Sequence, residues 1–262
     1  MAEGGPDMPY DPIKMASSIE RVVVDGNRRK YAHPGKNLRF YGGVTTAVEV
    51  GCNLMGCKFC FSDQPVRKPG RVGKFYTPQE IFDALTAAAK RHGNTLISAS
   101  ASEGTLGRQH LIELLALVDE SPFTYILESN GMLLGNDPGY AQEISQFRSV
   151  HSRISIKGCN EDEYTRITGA IPESYTLPYR ALDNLMDAGV SVNACLMVSF
   201  STDETIRQAK ARLAAIRPGL LKSLELEVIS MFPKVAARLR KTGLKPTRIR
   251  HRGRVLRLDT ES

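Results

Sequence analysis

From Thr45 to Ile229 the chain alternates two hydrophobic periods, and this alternation limits its fold more than any other feature. Six short stretches rich in apolar and β-branched residues predict strands: Thr45–Val50, Thr95–Ser100, Phe123–Glu128, Ser152–Lys157, Ser191–Ser199 and Ser223–Ile229. Helical spacing between them predicts Pro78–Arg91, Gln109–Glu120, Gly139–Phe147, Glu161–Thr168 with Tyr175–Ala188, and Asp203–Ile216. Thr77-Pro78-Gln79-Glu80 is a start signal, with a cap residue, a proline in the first turn and a glutamate placed to complete a capping box. Strands and helices in this order form βαβ units around a parallel sheet. A full eight-unit barrel takes about 250 residues, and only about 190 run from Thr45 to the basic C-terminal stretch. The expected fold is α/β, a partial (β/α)6 TIM-like barrel.

In front of the barrel, Arg21–Val24 and Arg28–Tyr31 flank Asp25-Gly26-Asn27 and predict a small hairpin after a loose start reaching about Ser18. The expected organisation is an N-terminal extension with the hairpin (1–40), the barrel (41–232) and a basic C-terminal tail (233–262).

The strand faces carry a second message. In Arg153-Ile154-Ser155-Ile156-Lys157, polar residues occupy every other position, and Asn193, Cys195, Met197 and Ser199 share one face, as do Glu225 and Glu227. Buried parallel strands usually read as continuously apolar. Helices covering one face would leave the other as a wet, concave cavity.

Directly after the first strand comes Gly51-Cys52-Asn53-Leu54-Met55-Gly56-Cys57-Lys58-Phe59-Cys60. Three thiols within nine residues can surround one centre. Structural zinc usually takes four ligands, and neither His33, His92, Cys159 nor Cys195 is near in sequence. An iron–sulfur cube on three thiolates keeps one iron open for another ligand. Zinc and iron–sulfur both remain open on this reading.

The cysteine stretch resembles the motif of the radical S-adenosylmethionine (radical SAM) superfamily, in which an aromatic precedes the third cysteine, here Phe59. The usual spacing is three residues and then two; here it is four and then two, with Gly56 placed to absorb the extra residue. Ala101–Thr105 is similar to the family's Gly-Gly-Glu-Pro stretch, keeping only Glu103. Leu127–Gly131 resembles the Asp/Glu-Thr-Asn-Gly segment of small glycyl-radical activating enzymes, and Ser155–Lys157 their fourth strand. The resemblance implies that Cys52, Cys57 and Cys60 hold a 4Fe–4S cluster. It implies cofactor contacts at Phe59, Ser102, Glu103, Glu128, Asn130, Ser155 and Lys157, with Lys157 at the S-adenosylmethionine carboxylate; on the polar strand face, Ser199 is a further cofactor-binding candidate, and Arg153 beside Lys157, whose guanidinium suits a carboxylate or phosphate, a catalytic one. The implied reaction is reductive cleavage to a 5′-deoxyadenosyl radical that takes hydrogen from a small molecule or a protein glycine. The implied partner is a ferredoxin- or flavodoxin-like reductant. A zinc-bearing, RNA-associated module and a cluster protein that only carries electrons are the alternatives.

The net charge of +7 has a local origin. Ten Lys and Arg lie between Pro233 and Arg257 with no acid among them, leaving the remainder at −3. The segment reads either as a solvated tail or as a docking strip for an acidic partner or RNA. It lacks the aromatics a single-strand binder stacks on. No stretch reaches the roughly 20 apolar residues of a membrane helix. The odd, clustered cysteines and the absence of an apolar leader point to a reducing compartment, the cytoplasm.

Overall fold

The computed structural model describes residues 9–37, 43–52 and 56–258. In chain order its helices and strands are α1 (Pro12–Val23), β1 (Val24–Asp25), β2 (Arg28–Asn37), β3 (Val44–Glu49), α2 (Gln64–Arg67), β4 (Lys74–Tyr76), α3 (Pro78–His92), β5 (Leu96–Ser100), α4 (Arg108–Asp119), β6 (Thr124–Ser129), α5 (Met132–Asn136), α6 (Pro138–Ile144), β7 (Val150–Lys157), α7 (Glu161–Thr168), α8 (Leu177–Asp187), β8 (Ser191–Met197), α9 (Asp203–Ile216), β9 (Glu225–Glu227), α10 (Pro233–Lys241), β10 (Arg248–His251) and β11 (Arg254–Arg257). The main sheet runs β1-β2-β3-β5-β6-β7-β8-β9, with β4 on β2. The last six strands of that order are mutually parallel, and β1, β2 and β4 add antiparallel. The six expected barrel strands and their connecting helices are therefore present, in an α/β partial barrel.

Burial explains the arrangement. Along β7, Val150, Ser152, Ile154 and Ile156 are buried while His151, Arg153, Ser155 and Lys157 are half-buried. The first set faces the helix layer, joining Leu182 and Leu185 of α8 in the main core, and the second lines the lumen. Helix α3 starts where its sequence signal placed it: Thr77 accepts from the Glu80 amide, and the Glu80 carboxylate returns the bond to Thr77.

Two expectations need correction. Arg21–Val23 are not a strand arm but the last turn of α1. Asp11 caps that helix, and Pro12, Ala16, Ile19 and Val23 form its buried face at spacings of three and four. The run of valines masked this longer helical period. The hairpin itself survives as β1–β2 around Gly26.

Residues 233–258 are likewise no loose tail. Val235 and Leu239 of α10 are buried with Phe59, Met197, Phe200 and Ile229 in a second apolar cluster. Thr247 donates to the Ser199 carbonyl at 2.7 Å, and Arg248 binds the Ser201 carbonyl and Asp203. Tyr41, Gly42 and the Asn53–Met55 bridge lie outside the described residues.

The wall between β2 and α4 contains a buried histidine. His110 Nδ1 lies 2.8 Å from the Asn27 carbonyl, which only accepts, so Nδ1 carries the proton and Nε2 accepts from the Tyr31 hydroxyl at 2.9 Å. Burial pulls the ring's pKa down to about 4. The unfolded chain takes up this proton from about pH 6.5, so acidification from there to about 4 favours unfolding by up to ~3 kcal/mol. An NMR titration is expected to show the His110 ring neutral until near pH 4, and a midpoint near 6.5 would contradict the assignment. Leu239→Ala is expected to lower stability by about 2–5 kcal/mol in urea unfolding; a solvated tail would show no change.

Candidate active site

Parallel strands bring their C-terminal ends to one mouth, and the candidate residues gather there. Cys52 follows β3, Ser102 and Glu103 follow β5, and Asn130 follows β6. Lys157 ends β7, Ser199 follows β8 and Glu227 ends β9.

The cysteine loop is held at both ends. At its start, Gly51 has φ +92°, and a Cβ there would sit 2.9 Å from Val23 Cγ1 on α1, so only glycine fits. The Gly51 carbonyl accepts from the Glu103 amide and the Ser102 hydroxyl. At its end, the Lys58 amide donates to the Ile167 carbonyl, Phe59 packs 5.6 Å from the Phe200 ring, and Cys60 N–H turns back to the Cys57 carbonyl. Gly56 is needed for close approach. A Cβ there would lie 3.0 Å from the Thr168 carbonyl, and its N–H donates to the Tyr10 hydroxyl. Arg67 and Arg238 donate to the carbonyls of Cys57 and Cys60.

All three thiols are free and partly exposed. Burial, then the charges of Glu103, Cys60 and Cys57, pushes the Cys52 thiol up; burial also lifts Cys57 to about 12, against the pull of Lys157. Such thiols stay protonated until a cationic centre takes the thiolate form. Among the described residues no three His, Cys, Asp or Glu side chains already stand as a metal site. The fold supplies three soft donors on one anchored loop. Arg67, Arg238 and Lys157 nearby offset the negative charge that three thiolates bring to a cluster. That donor set and its cationic surroundings suit iron and sulfide.

The segments after β5 and β6 are tied through Glu103. Its buried carboxylate accepts from the Asn130 amide (2.8 Å), Ser129 Oγ (2.8 Å) and Thr105 Oγ1 (2.6 Å), while burial pushes its pKa up. Glu103 thus joins two strand ends with its side chain. Ala101, standing where the resembled motif has glycine, takes φ +72°. A residue with a Cβ in this left-handed conformation costs about 1 kcal/mol. Asn130 spends Oδ1 on the Met132 amide, and its buried Nδ2 has no protein acceptor. An unmet donor at the mouth is what a bound ligand would satisfy. Gly131 beside it has φ +76°, with Ile154 and Pro178 at 2.9 Å from any added Cβ.

The lumen carries a charge ladder. Arg153 grips Glu225 through Nε and Nη2 (3.1 and 2.5 Å) and Glu128 through Nη1 (2.6 Å), and Asn193 also donates to Glu225 (2.8 Å). Nearer the mouth, Ser155 donates to Glu227 (2.8 Å), and Lys157 lies on Ser155 and 3.5 Å from Glu227. Burial opposes charge on Lys157, but the Glu227 carboxylate beside it favours the ammonium and keeps it charged. Burial raises Glu128 despite Arg153. Cys195 shares this lumenal face, with burial lifting its thiol to about 12. Ser199 is buried, its hydroxyl accepting from the Ile229 amide at 2.8 Å, so here it joins β8 to β9.

Sequence reading missed Arg29. Its fully buried guanidinium donates to the carbonyls of Val23 (3.2 Å), Val50 (2.7 Å) and Glu103 (3.3 Å) and to Ser102 Oγ (3.4 Å). It fastens α1, the base of the cysteine loop and the Ser102–Glu103 turn. Glu49 lies beside it, pushed up to about 7 by burial against the pull of Arg29.

A family model described as the Radical SAM superfamily matches residues 48–213. A protein named probable GTP 3′,8-cyclase from Pyrobaculum aerophilum is 25% identical over 199 residues. The match covers 75% of this chain and 59% of that protein, so the chain spans about three fifths of this curated relative. Among solved structures, SuiB of Streptococcus suis bound to S-adenosylmethionine superimposes with a TM-score of 0.52 at 14% identity, over 64% of this chain and 36% of SuiB. The structure of anSMEcpe with bound AdoMet and a peptide gives 0.50 at 16% identity, over 71% of this chain and 50% of that one. These two share the fold.

Replacing Arg29 by Met leaves buried acceptors and Glu49 without their cation. The expected loss is about 3–5 kcal/mol in urea unfolding. A loss under about 1 kcal/mol would remove Arg29 from the support of the site.

Proposed function

The chain belongs to the radical SAM superfamily, and on that premise we propose that it abstracts hydrogen from a small polar substrate held in the barrel lumen. Family membership makes it an S-adenosylmethionine-dependent enzyme built on a 4Fe–4S cluster. When bound, these groups supply a 5′-deoxyadenosyl radical, and the hard chemistry is theirs. The chain's residues bind, orient and exclude. Cys52, Cys57 and Cys60 hold the cluster as thiolates. Lys157, charged beside two of these thiols, receives the carboxylate of S-adenosylmethionine, and Asn130 Nδ2 donates to the same cofactor. Phe59 shields the site from water together with Phe200. Ser102, Glu103 and Ser199 fix the strand ends against which the cofactor lies.

The observation that carries the substrate reading is the ladder of Arg153 with Glu128 and Glu225. One guanidinium faces two carboxylates there, so among the described residues the ladder holds no surplus of cations for a polyphosphate. It offers hydrogen bonds to a compact polar molecule and keeps it within reach of the mouth. The protein-glycine substrate of activating enzymes rests on the likeness of Leu127–Gly131 and Ser155–Lys157 alone. The partner is a protein that delivers single electrons.

The test is anaerobic reconstitution with iron and sulfide, followed by dithionite and S-adenosylmethionine. The expected result is visible cluster absorption and release of 5′-deoxyadenosine, both lost in Cys57→Ala, with Arg153→Met keeping cluster and cleavage. One zinc per chain with no colour would mark a binding module. Reduction without 5′-deoxyadenosine would mark an electron carrier. Either result overturns the proposal.

A further inference from the structure

We infer that the face formed by Phe61, Phe232 and the basic unit of α10 with the β10–β11 hairpin docks an acidic protein that delivers one electron at a time. This rests on the radical SAM reading of the cysteine loop and adds where the electron comes in.

Helix α10 is bolted to that loop. Lys234 and Asp63 pair at 2.5 Å, Arg238 donates to the Cys60 carbonyl, and Val235 and Leu239 bury against Phe59. The Lys234–Asp63 pair brackets two exposed phenyl rings: Phe61 lies two residues before Asp63 and is 66% exposed, and Phe232 lies two residues before Lys234 and is 49% exposed. Val255 and Leu256 of β11 are exposed as well, at 51% and 42%, and large exposed apolar side chains of this kind are found at contact surfaces. Phe61 is also the immediate neighbour of Cys60.

Cations are exposed on the segments that follow these two rings. Arg240, Lys241, Lys245, Arg250, Arg252 and Arg254 are exposed on α10 and the segment after it, and Arg67, Lys68, Arg71 and Lys74 are exposed after the cysteine loop. From Lys58 to Lys74 the sole acid is Asp63, which Lys234 already holds. The remainder of the chain outside 233–257 sums to −3, so positive charge is concentrated where it reaches the redox loop. An apolar centre within a charged rim is interface anatomy, and a uniform rim sign selects a partner of opposite sign and speeds its arrival. The partner that a one-electron centre needs at this spot is a reduced carrier with an acidic face. It is oxidised by one electron, the cluster is reduced by one, and no atom changes place. RNA shares the negative charge, but no aromatic stacking platform lies between Lys234 and Arg257. The exposed rings flank the cysteine loop instead.

The test uses the full chain and two acidic carriers, a flavodoxin and a ferredoxin. Their binding is measured by calorimetry at low and high salt, and cluster reduction by anaerobic stopped flow with each carrier and with dithionite. In the variant combining Arg240→Gln, Lys241→Gln, Arg250→Gln and Arg254→Gln, carrier affinity and carrier-driven reduction are expected to fall about tenfold or more. Dithionite reduction and the circular dichroism spectrum stay unchanged. Phe61→Ser is expected to weaken binding without changing its salt dependence. Unchanged affinity and rate with both carriers overturns the inference. So does a structured RNA whose binding is lost in the quadruple variant while neither carrier binds the wild-type chain. Failure of dithionite to drive 5′-deoxyadenosine release in the wild type would instead strike the enzymatic reading, leaving the carrier-binding result to be read separately.

Discussion

A single buried guanidinium holds the mouth of this barrel together. Taking Arg29 out of water costs several kcal/mol, and the structure offsets this with hydrogen bonds to three separate segments and the nearby carboxylate of Glu49. Those segments are the end of α1, the residue before Gly51 and the turn at Glu103. Without this common tether, the cysteine loop and the strand end beside it would each be set by their own weak local preferences. Glu103 extends the tether from β5 to β6. The mouth is thus organised by buried polar bonds running across strand ends, while the apolar core fixes only the strands below it.

The distribution of charge follows the same division. Within the lumen, Arg153 and Lys157 are matched by Glu128, Glu225 and Glu227. Such pairing keeps charges on a half-buried sheet face from standing isolated. Outside, near the cysteine loop, Asp63 answers Lys234 and Arg238, and the run from Lys58 to Lys74 holds no second acid. The interior is therefore tuned to hold and the exterior to attract.

Much of this architecture was legible in the chain. The six barrel strands were readable because a period of two cannot be confused with 3.6 over five or more residues, and Pro78–His92 carried its own start signal. The polar faces of β7 and β8 marked the side of the sheet on which Arg153, Lys157 and their carboxylates gather. Long-range effects were not legible. Arg29 reads as one cation in a hairpin arm, since nothing local says that its partners lie 21 and 74 residues away. Arg238 reads as one of ten tail cations, although it caps the Cys60 carbonyl from across the fold. Helix α1 was hidden because its valine run satisfies a strand pattern as readily as a helical one. The turn at Ala101 was not legible either: its positive φ is held by Ser102 and Glu103, which both bond the Gly51 carbonyl 50 residues back in the chain.

The clamp of α10 on the cysteine loop also has a consequence in time. The ribosome makes Cys60 about 170 residues before α10 begins, which at typical elongation rates is on the order of ten seconds or longer. For that interval Phe59 lacks Val235 and Leu239, and the Cys60 carbonyl lacks Arg238. Completion of α10 supplies both contacts at once, so this side of the cysteine loop can be finished only after every barrel strand has been made.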